Sequence, residues 1–562
     1  MTLRFSLPLV TLCLSLPSIA QTGDRQPATA APATPTCTID RSMPSDADKL
    51  LASKQYPEAE ASYRDALAQT PTSGTAQLGI VRALIGQDKT TEAQAYAADM
   101  LKQNAKSAVA EIATAEATIR TAAYPQSPLA QVAAGDAAYR AADFDAARQF
   151  ALTAFRLDPC NAQALALLSN LESLFAYFAS AASHIATAHK LRPGDEIIRR
   201  DWIDSLPRKE RAAELEKYLA ETTHLSDKDH TGYSNESQYL KARRPGDCRI
   251  TSKANTVSIP FLPVFEDSSR PRASGLDLSL NGTRRRMQID TGASGIILTA
   301  SAAKSLHLTP EYRIHTGGVG DEGEVESYLA HVATIQVGGV QLANCMVEVL
   351  AKSSLNVDGL IGINVFSRWL VTLDYPNAKL LLNPLPPRPS TKDTPTPPTP
   401  STTDEQADAE ENVPHDAYVA PQMTDWMHIA RVSHNILLPA ILNKGQVHYI
   451  IADTGASQST LSVPFASSAG KLHENSNVTF TGISGKVKKV YDLDYATLQF
   501  GHLLLPPANY FAFDLSSISH DTGVEVSGFI GLPTLSRLTM TIDYRDNLLQ
   551  LKYDPKHDSH MF

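Results

Sequence analysis

Two aspartates, Asp290 and Asp453, stand in one repeated phrase, MQIDTGASGIIL around the first and YIIADTGASQSTL around the second. Each follows a short apolar run of strand character and precedes Thr-Gly-Ala-Ser, so each carboxylate is delivered where a strand leaves a sheet. Carboxylates at equivalent places in a repeat are candidates for general acid and general base work. Gly292 and Gly455 are expected to let the backbone turn beside them. The repeat continues with GLIGINVF (359–366) and GFIGLPTL (528–535). Twelve residues after Gly362 and Gly531 come Asp374-Tyr375 and Asp543-Tyr544, each before a closing apolar strand, so a whole domain is present twice. Asp374 and Asp543 start turns between strands and read as structural. A third Asp-Thr-Gly, at 521–523, follows polar SISH with no strand entering it and reads as a loop.

With DTGAS, a Gly-containing flap segment and the apolar-apolar-Gly stretch before the last strands, the chain resembles the retropepsin-like aspartic proteases, small-domain relatives of pepsin. The resemblance implies two facing domains that each give one aspartate, here Asp290 and Asp453, sharing one proton across a water molecule. Two carboxylates about 3 Å apart cannot both ionise, which leaves one as base and the other as acid. It also implies that Thr291 and Thr454 cross-link the two loops through hydroxyl-to-backbone hydrogen bonds, and that Ser294 and Ser457 bond the outer carboxylate oxygens. Flap candidates are Gly317, Gly318 and Gly320 in HTGGVGDEGEVESY and Gly482 and Gly485 in FTGISGKVKKVYDL. The first tip is acidic and the second basic, so the two sides of a cleft are expected to hold a substrate differently. The implied activity is that of an aspartic endopeptidase acting on a polypeptide, with the two aspartates paired within one chain. The rival reading is a catalytically inactive retropepsin-fold binding or scaffold protein acting through the helices described next. There is no HExxH pattern and no GxSxG, and neither a metal nor another cofactor is expected.

The elements that carry these residues come in order along 562 residues, a length for several domains. Arg4, the apolar run Phe5–Leu16 and Ser18-Ile19-Ala20 read as a cleaved secretory signal over 1–20, so the protein is expected to be exported, periplasmic or secreted, with no stable membrane insertion. A net charge of -10 gives no reason to expect nucleic acid. Residues 21–42 are rich in Ala, Thr and Pro and read as a disordered tether. Over 43–222 small residues fall at Ala59, Ala93, Ala147 and Ala181, spaced by 34, 54 and 34, with Pro71, Pro159 and Pro193 closing units. That spacing resembles tetratricopeptide repeats and predicts about four helix pairs forming a solenoid, an extra helix within 106–124 and one or two trailing helices, with a protein partner. Residues 223–250 read as an aperiodic connector, 251–384 and 419–555 as the two all-β retropepsin-like domains, 385–418 as a Pro/Thr-rich linker and 556–562 as a tail. The polar connector predicts that helices and β domains fold independently. Asn281-Gly282 predicts the hairpin that delivers Asp290. Arg284 to Arg286 on it read as a solvated face. Cys37, Cys160, Cys248 and Cys345 allow three disulfide pairings, the alternative for Cys160 and Cys345, which lie in apolar patterns, being buried free thiols.

Overall fold

In a computed structural model the described residues are 37–555 except 104–106, 119–125, 223–224, 243–247, 253–254, 266–270, 322, 353–354 and 390–413. The expected signal peptide, most of the tether, most of the linker and the tail lie outside them. The described residues from 38 onward form one compact unit.

The helical region is built on the predicted period. The second helices of the four pairs begin at Tyr56, Thr90, Phe144 and Phe178, again 34, 54 and 34 apart. The turn entering each holds one non-glycine residue with positive φ, Lys54, Asp88, Ala142 and Ala176, at the same intervals. Ala59, Ala93, Ala147 and Ala181 are buried because a larger side chain would push the paired helices apart. Ser73, Ser127, Asp143 and Asn161 cap helix starts with side-chain oxygens that accept backbone N–H groups. The surplus in the middle spacing holds helix Ala108–Thr118, as expected. Helices Glu196–Ser205 and Arg208–Glu221 trail. The connector reading fails, since Asp227–Ala242 is a sixteen-residue helix. Its polar face hid the pattern: it is held by Arg200 over the Tyr233 ring at 4.3 Å and by Glu236, which accepts from Arg200 at 2.9 Å.

Each β half threads one strand through its own active loop. Gly359–Gly362 runs parallel to Met287–Asp290 and antiparallel to Ile296–Leu298. Gly528–Ile530 lies likewise beside Ile451–Ala452 and Thr460–Leu461. A Cβ on Gly359 would stand 2.0 Å from the Ile297 carbonyl and one on Gly528 2.4 Å from that of Thr460, so the threaded strand must begin with glycine. The halves join in a six-stranded sheet, ordered Met427–His428, Leu548–Tyr553, Leu538–Asp543, Leu370–Asp374, Lys379–Asn383, Val257–Pro260. At its centre Thr372 faces Thr541, with hydroxyls 3.1 Å apart on the local two-fold axis. Asp374 and Asp543 are buried turn formers, accepting from Asn377 and from the Arg545 and Asp546 backbones. The Asn281-Gly282 turn has positive φ at both residues, as the hairpin requires. Arg284 and Arg286 pair with Asp277 on the neighbouring strand. Cys248 and Cys345 form a disulfide, and Cys160 is disulfide-bonded as well.

The expected independence of helices and β domains does not hold. Phe144, Leu167, Leu168, Leu171 and Leu174 share one core with Leu437, Ile451, Val487, Phe513 and Phe529 of the second half. The Phe144 and Tyr449 rings are 4.7 Å apart, Glu525 N donates to the Arg140 carbonyl at 2.7 Å, and Asn547 Nδ2 donates to the Leu174 carbonyl at 2.9 Å. Helix Asp227–Ala242 meets the first half, where Asn235 Nδ2 donates to the Arg313 carbonyl at 2.6 Å. Both described ends of the linker are also anchored. Asp546, buried, pairs with Arg388 and accepts from Tyr418 N at 2.9 Å, and the His415 carbonyl accepts from Phe178 N at 2.9 Å.

Candidate active site

Strands Thr283–Asp290 and Val447–Ala452 end where the two halves meet, which brings Asp290 and Asp453 together. The loops clasp reciprocally. Thr291 N donates to Thr454 Oγ1 at 3.0 Å and Thr454 N to Thr291 Oγ1 at 2.9 Å. Each hydroxyl in turn donates a hydrogen bond across the axis, Thr291 Oγ1 to the Ala452 carbonyl at 2.6 Å and Thr454 Oγ1 to the Ile289 carbonyl at 3.3 Å. Both threonines are buried, so the four bonds are made without competing water and fix the loops relative to each other.

Gly292 and Gly455 have a different reason from the one the sequence suggests. Neither has a positive φ. A Cβ on Gly292 would lie 3.0 Å from the Asp453 carboxyl carbon, and one on Gly455 2.4 Å from Asp290 Oδ2. The glycines therefore leave space for the opposite carboxyl. Each aspartate also accepts from its own loop: Asp290 Oδ1 from Gly292 N at 2.8 Å, Asp453 Oδ1 from Gly455 N at 2.7 Å and Ala456 N at 3.1 Å. Burial raises the pKa of both carboxyls, and the nearby Asp453 charge raises Asp290 further. Each lies within hydrogen-bonding reach of the other, so the two share a proton more readily than they ionise together.

Ser294 and Ser457 do not take the expected position. Both are exposed, and Ser294 accepts from Asn364 Nδ2 at 3.3 Å. Among the described hydrogen bonds neither aspartate accepts from a serine; backbone N–H groups of the loops supply that role. Asn364 also accepts from Gly295 N at 3.0 Å, tying the threaded strand's exit to the loop.

The flap candidates meet one another. Gly317, Gly318 and Gly320 lie in the turn between strands Tyr312–Thr316 and Val325–Val337, while Gly482 and Gly485 shape a small hairpin, Thr481–Gly482 with Gly485–Lys486. Ser484 N donates to the Val319 carbonyl at 3.0 Å, Asp321 N to the Lys486 carbonyl at 3.2 Å, and Lys488 N to Asp321 Oδ2 at 2.7 Å. Gly320 has φ 134 and Gly485 φ 87, and a Cβ on Gly482 would stand 2.2 Å from the Val319 carbonyl. Ile483 packs on Ala293, Ile297, Leu350 and Leu360 of the first half. Of the charged groups at the tips, the Asp321 carboxylate enters this contact, through the Lys488 backbone N–H.

The third Asp-Thr-Gly is not a loop. Ser516–Thr522 is a helix closed by Gly523 at φ 73, and the Asp521 carboxylate lies against the flap root at Gly317. Polar residues at helix spacing read as aperiodic in so short a run. A further residue was missed: His434, in the turn after Val432, donates Nε2–H to the Gly292 carbonyl at 2.9 Å. Only the fold brings this second-half side chain under the first-half loop, and no local motif marks it. Among the described residues no group of three or more His, Cys, Asp and Glu is placed to hold a metal ion. No described helix is long and apolar enough to cross a membrane.

Residues 276–368 match the family described as gag-polyprotein putative aspartyl protease, and residues 50–119 match the tetratricopeptide repeat. No curated protein matches the chain. Among solved structures it is similar to a retropepsin-like aspartic protease from Rickettsia conorii, at 19% identity over 24% of this chain and 96% of that one, with a TM-score of 0.19. It is similar also to an aspartic proteinase from Irpex lacteus, at 14% identity over 55% of this chain and all (100%) of that one, with a TM-score of 0.31. The chain carries a retropepsin-like aspartic protease region preceded by tetratricopeptide-like repeats.

Proposed function

We propose that the protein is an exported aspartic endopeptidase in which Asp290 and Asp453 activate a water molecule against a peptide carbonyl. The observation that carries this reading is the mutual approach of two carboxyls of raised pKa across loops clasped by Thr291 and Thr454. A binding protein gains nothing from holding two like charges together. Asp453 accepts from Gly455 N, Ala456 N and the Asp290 carboxyl, while the facing Asp453 charge raises Asp290, which together favour the ionised form on Asp453. Asp453 then takes the proton from water, and Asp290 protonates the carbonyl oxygen as the tetrahedral intermediate forms. Asp453 then gives its proton to the leaving nitrogen as the C–N bond breaks, and a hydroxyl of the intermediate returns its proton to Asp290 as the carboxyl product forms, which restores the pair.

A polypeptide enters when the contact of Val319 and Asp321 with 484–488 opens. Part of the repeat surface is already occupied by the chain's own second half, so a separate protein partner docks on the remaining faces. The test is cleavage of an unfolded protein or a peptide library at acidic pH by the full chain, with and without a transition-state aspartic-protease inhibitor. Inhibitor-sensitive cleavage is expected. A folded protein that cleaves nothing and does not bind the inhibitor overturns the reading. Export is tested separately by the N-terminal sequence of the protein recovered from the producing cell, expected to begin after Ala20.

A further inference from the structure

Behind the Asp290 loop, where helices, first half and second half meet, lies a cavity of about 550 Å3. Ser294 and Asn364 line it from the first half, Phe178 from the repeats, and Arg431, His434 and Arg545 from the second half. None of its described lining side chains is acidic, although the chain carries a net charge of -10.

The cations in this cavity are not equally compensated. Arg545 is neutralised by Asp546, 2.8 Å from its Nε, and donates Nη2–H to the Pro386 carbonyl. Arg431 has no such partner among the described residues. Its Nη1 donates to the Tyr544 carbonyl at 3.0 Å, and its guanidinium lies 5.6 Å from the centre of the Tyr544 ring. Burial without a facing carboxylate pushes its pKa down. A partly buried guanidinium left with one carbonyl and one ring keeps several N–H donors and a full charge for a ligand, and an oxyanion fits that fork. Beside it, His434 reaches the Gly292 carbonyl, so a ligand here touches the support of the active loop.

We propose that this cavity is an oxyanion-binding site, with Arg431 as its principal donor and a carboxylate or phosphate as its ligand. The anion is either a free small ion or a carboxylate of a bound peptide. Occupancy fixes the turn that bears Ser433 and His434 and so steadies the Asp290 loop from below. The proposal stands apart from catalysis, because binding can be read in a protein that cleaves nothing.

Calorimetric titration of the full chain with inorganic phosphate and with acetate, at constant ionic strength, tests it. Saturable binding is expected, weakened about ten- to hundredfold in Arg431→Gln and less in Arg431→Lys. Ser433 sits at φ 54, which aspartate tolerates, so Ser433→Asp supplies an internal carboxylate. That variant is expected to melt higher than the parent without added anion and to lose the response to phosphate. In the Asp290→Asn protein, a peptide with a free C-terminal carboxylate is compared with its amide. Tighter binding of the acid, displaced by phosphate, identifies the ligand as part of a peptide; equal binding of the two, with phosphate still bound, identifies a free ion. Absence of saturable binding by phosphate, acetate and acid peptide alike, or binding unchanged in both Arg431→Gln and Ser433→Asp, overturns the proposal.

Discussion

The two β halves agree at their centre and part company toward their edges. At the axis the match is residue for residue: Thr291 and Thr454 exchange the same bonds, and Thr372 meets Thr541. Away from it, the first half closes on a disulfide, Cys248 to Cys345, and carries a long hairpin flap. The second has no such crosslink among the described residues and a flap only a few residues long, and its outer apolar surface is covered by the repeats. A paired site constrains only what touches the pair. Each half met the remaining need for stability by its own means, one covalent and one by borrowing helices.

Substitutions can separate the shared centre from the divergent surroundings. The largest effect belongs to the centre. Asp290→Asn and Asp453→Asn are each expected to lower peptide cleavage by about 10²–10⁴-fold or more with the fold unchanged, measured as kcat/KM beside circular dichroism. Near-full activity in either folded variant would break the symmetry of the two aspartates. Next come the surroundings of the second half. Phe144 is buried against Tyr449 and Phe175, and Phe144→Ala is expected to cost about 3–5 kcal/mol in denaturant unfolding. Hydrogen exchange should place the loss in the second half and the repeats together, and a loss confined to the repeats would show that the two do not share a core. The first half should answer instead to its crosslink. Cys248→Ser with Cys345→Ser is expected to remove about 2–4 kcal/mol, with the exchange confined to the first half.

The smallest expected effect concerns the repeats alone. Burial raises Asp136 to about 6 and Asp201 to about 7, above the ordinary carboxylate value near 4. Between these values the folded state binds more protons than the unfolded one, so stability falls as pH rises from about 4 to about 7. Melting temperature should therefore decline across that window and decline less in Asp201→Asn. An unchanged profile in that variant would remove Asp201 from the cause.

Much of this architecture was legible because short-range rules govern it. The 34-residue period shows in alanines that must be small, and the hairpin before Asp290 shows in Asn281-Gly282. The aspartates were legible because the entire loop is repeated with its strand. What stayed hidden depends on distant parts of the chain. Gly455 makes room for a carboxyl 165 positions away, at Asp290, which no local turn rule reveals. His434 is marked by nothing around it. The expected serine bonds failed because backbone N–H groups nearer the carboxyls already fill those places. The joint core escaped notice because Leu167, Leu171 and Leu174 suit the inside of a solenoid as well as a face that covers another domain.

The central sheet orders events in time. Its middle pair joins Thr372 to Thr541 across 169 residues, a longer closure than the pairings that close either half, Val257 with Leu382 and Met427 with Leu549. A chain emerging from its amino end has the repeats complete first and the Asp290 loop next, with an empty place opposite it. Until the last strands arrive, no length of the nascent polypeptide contains both aspartates held face to face. Under the proposed function, a pair divided in this way cannot act on its own unfinished chain during synthesis, and acquires its chemistry only with its final shape.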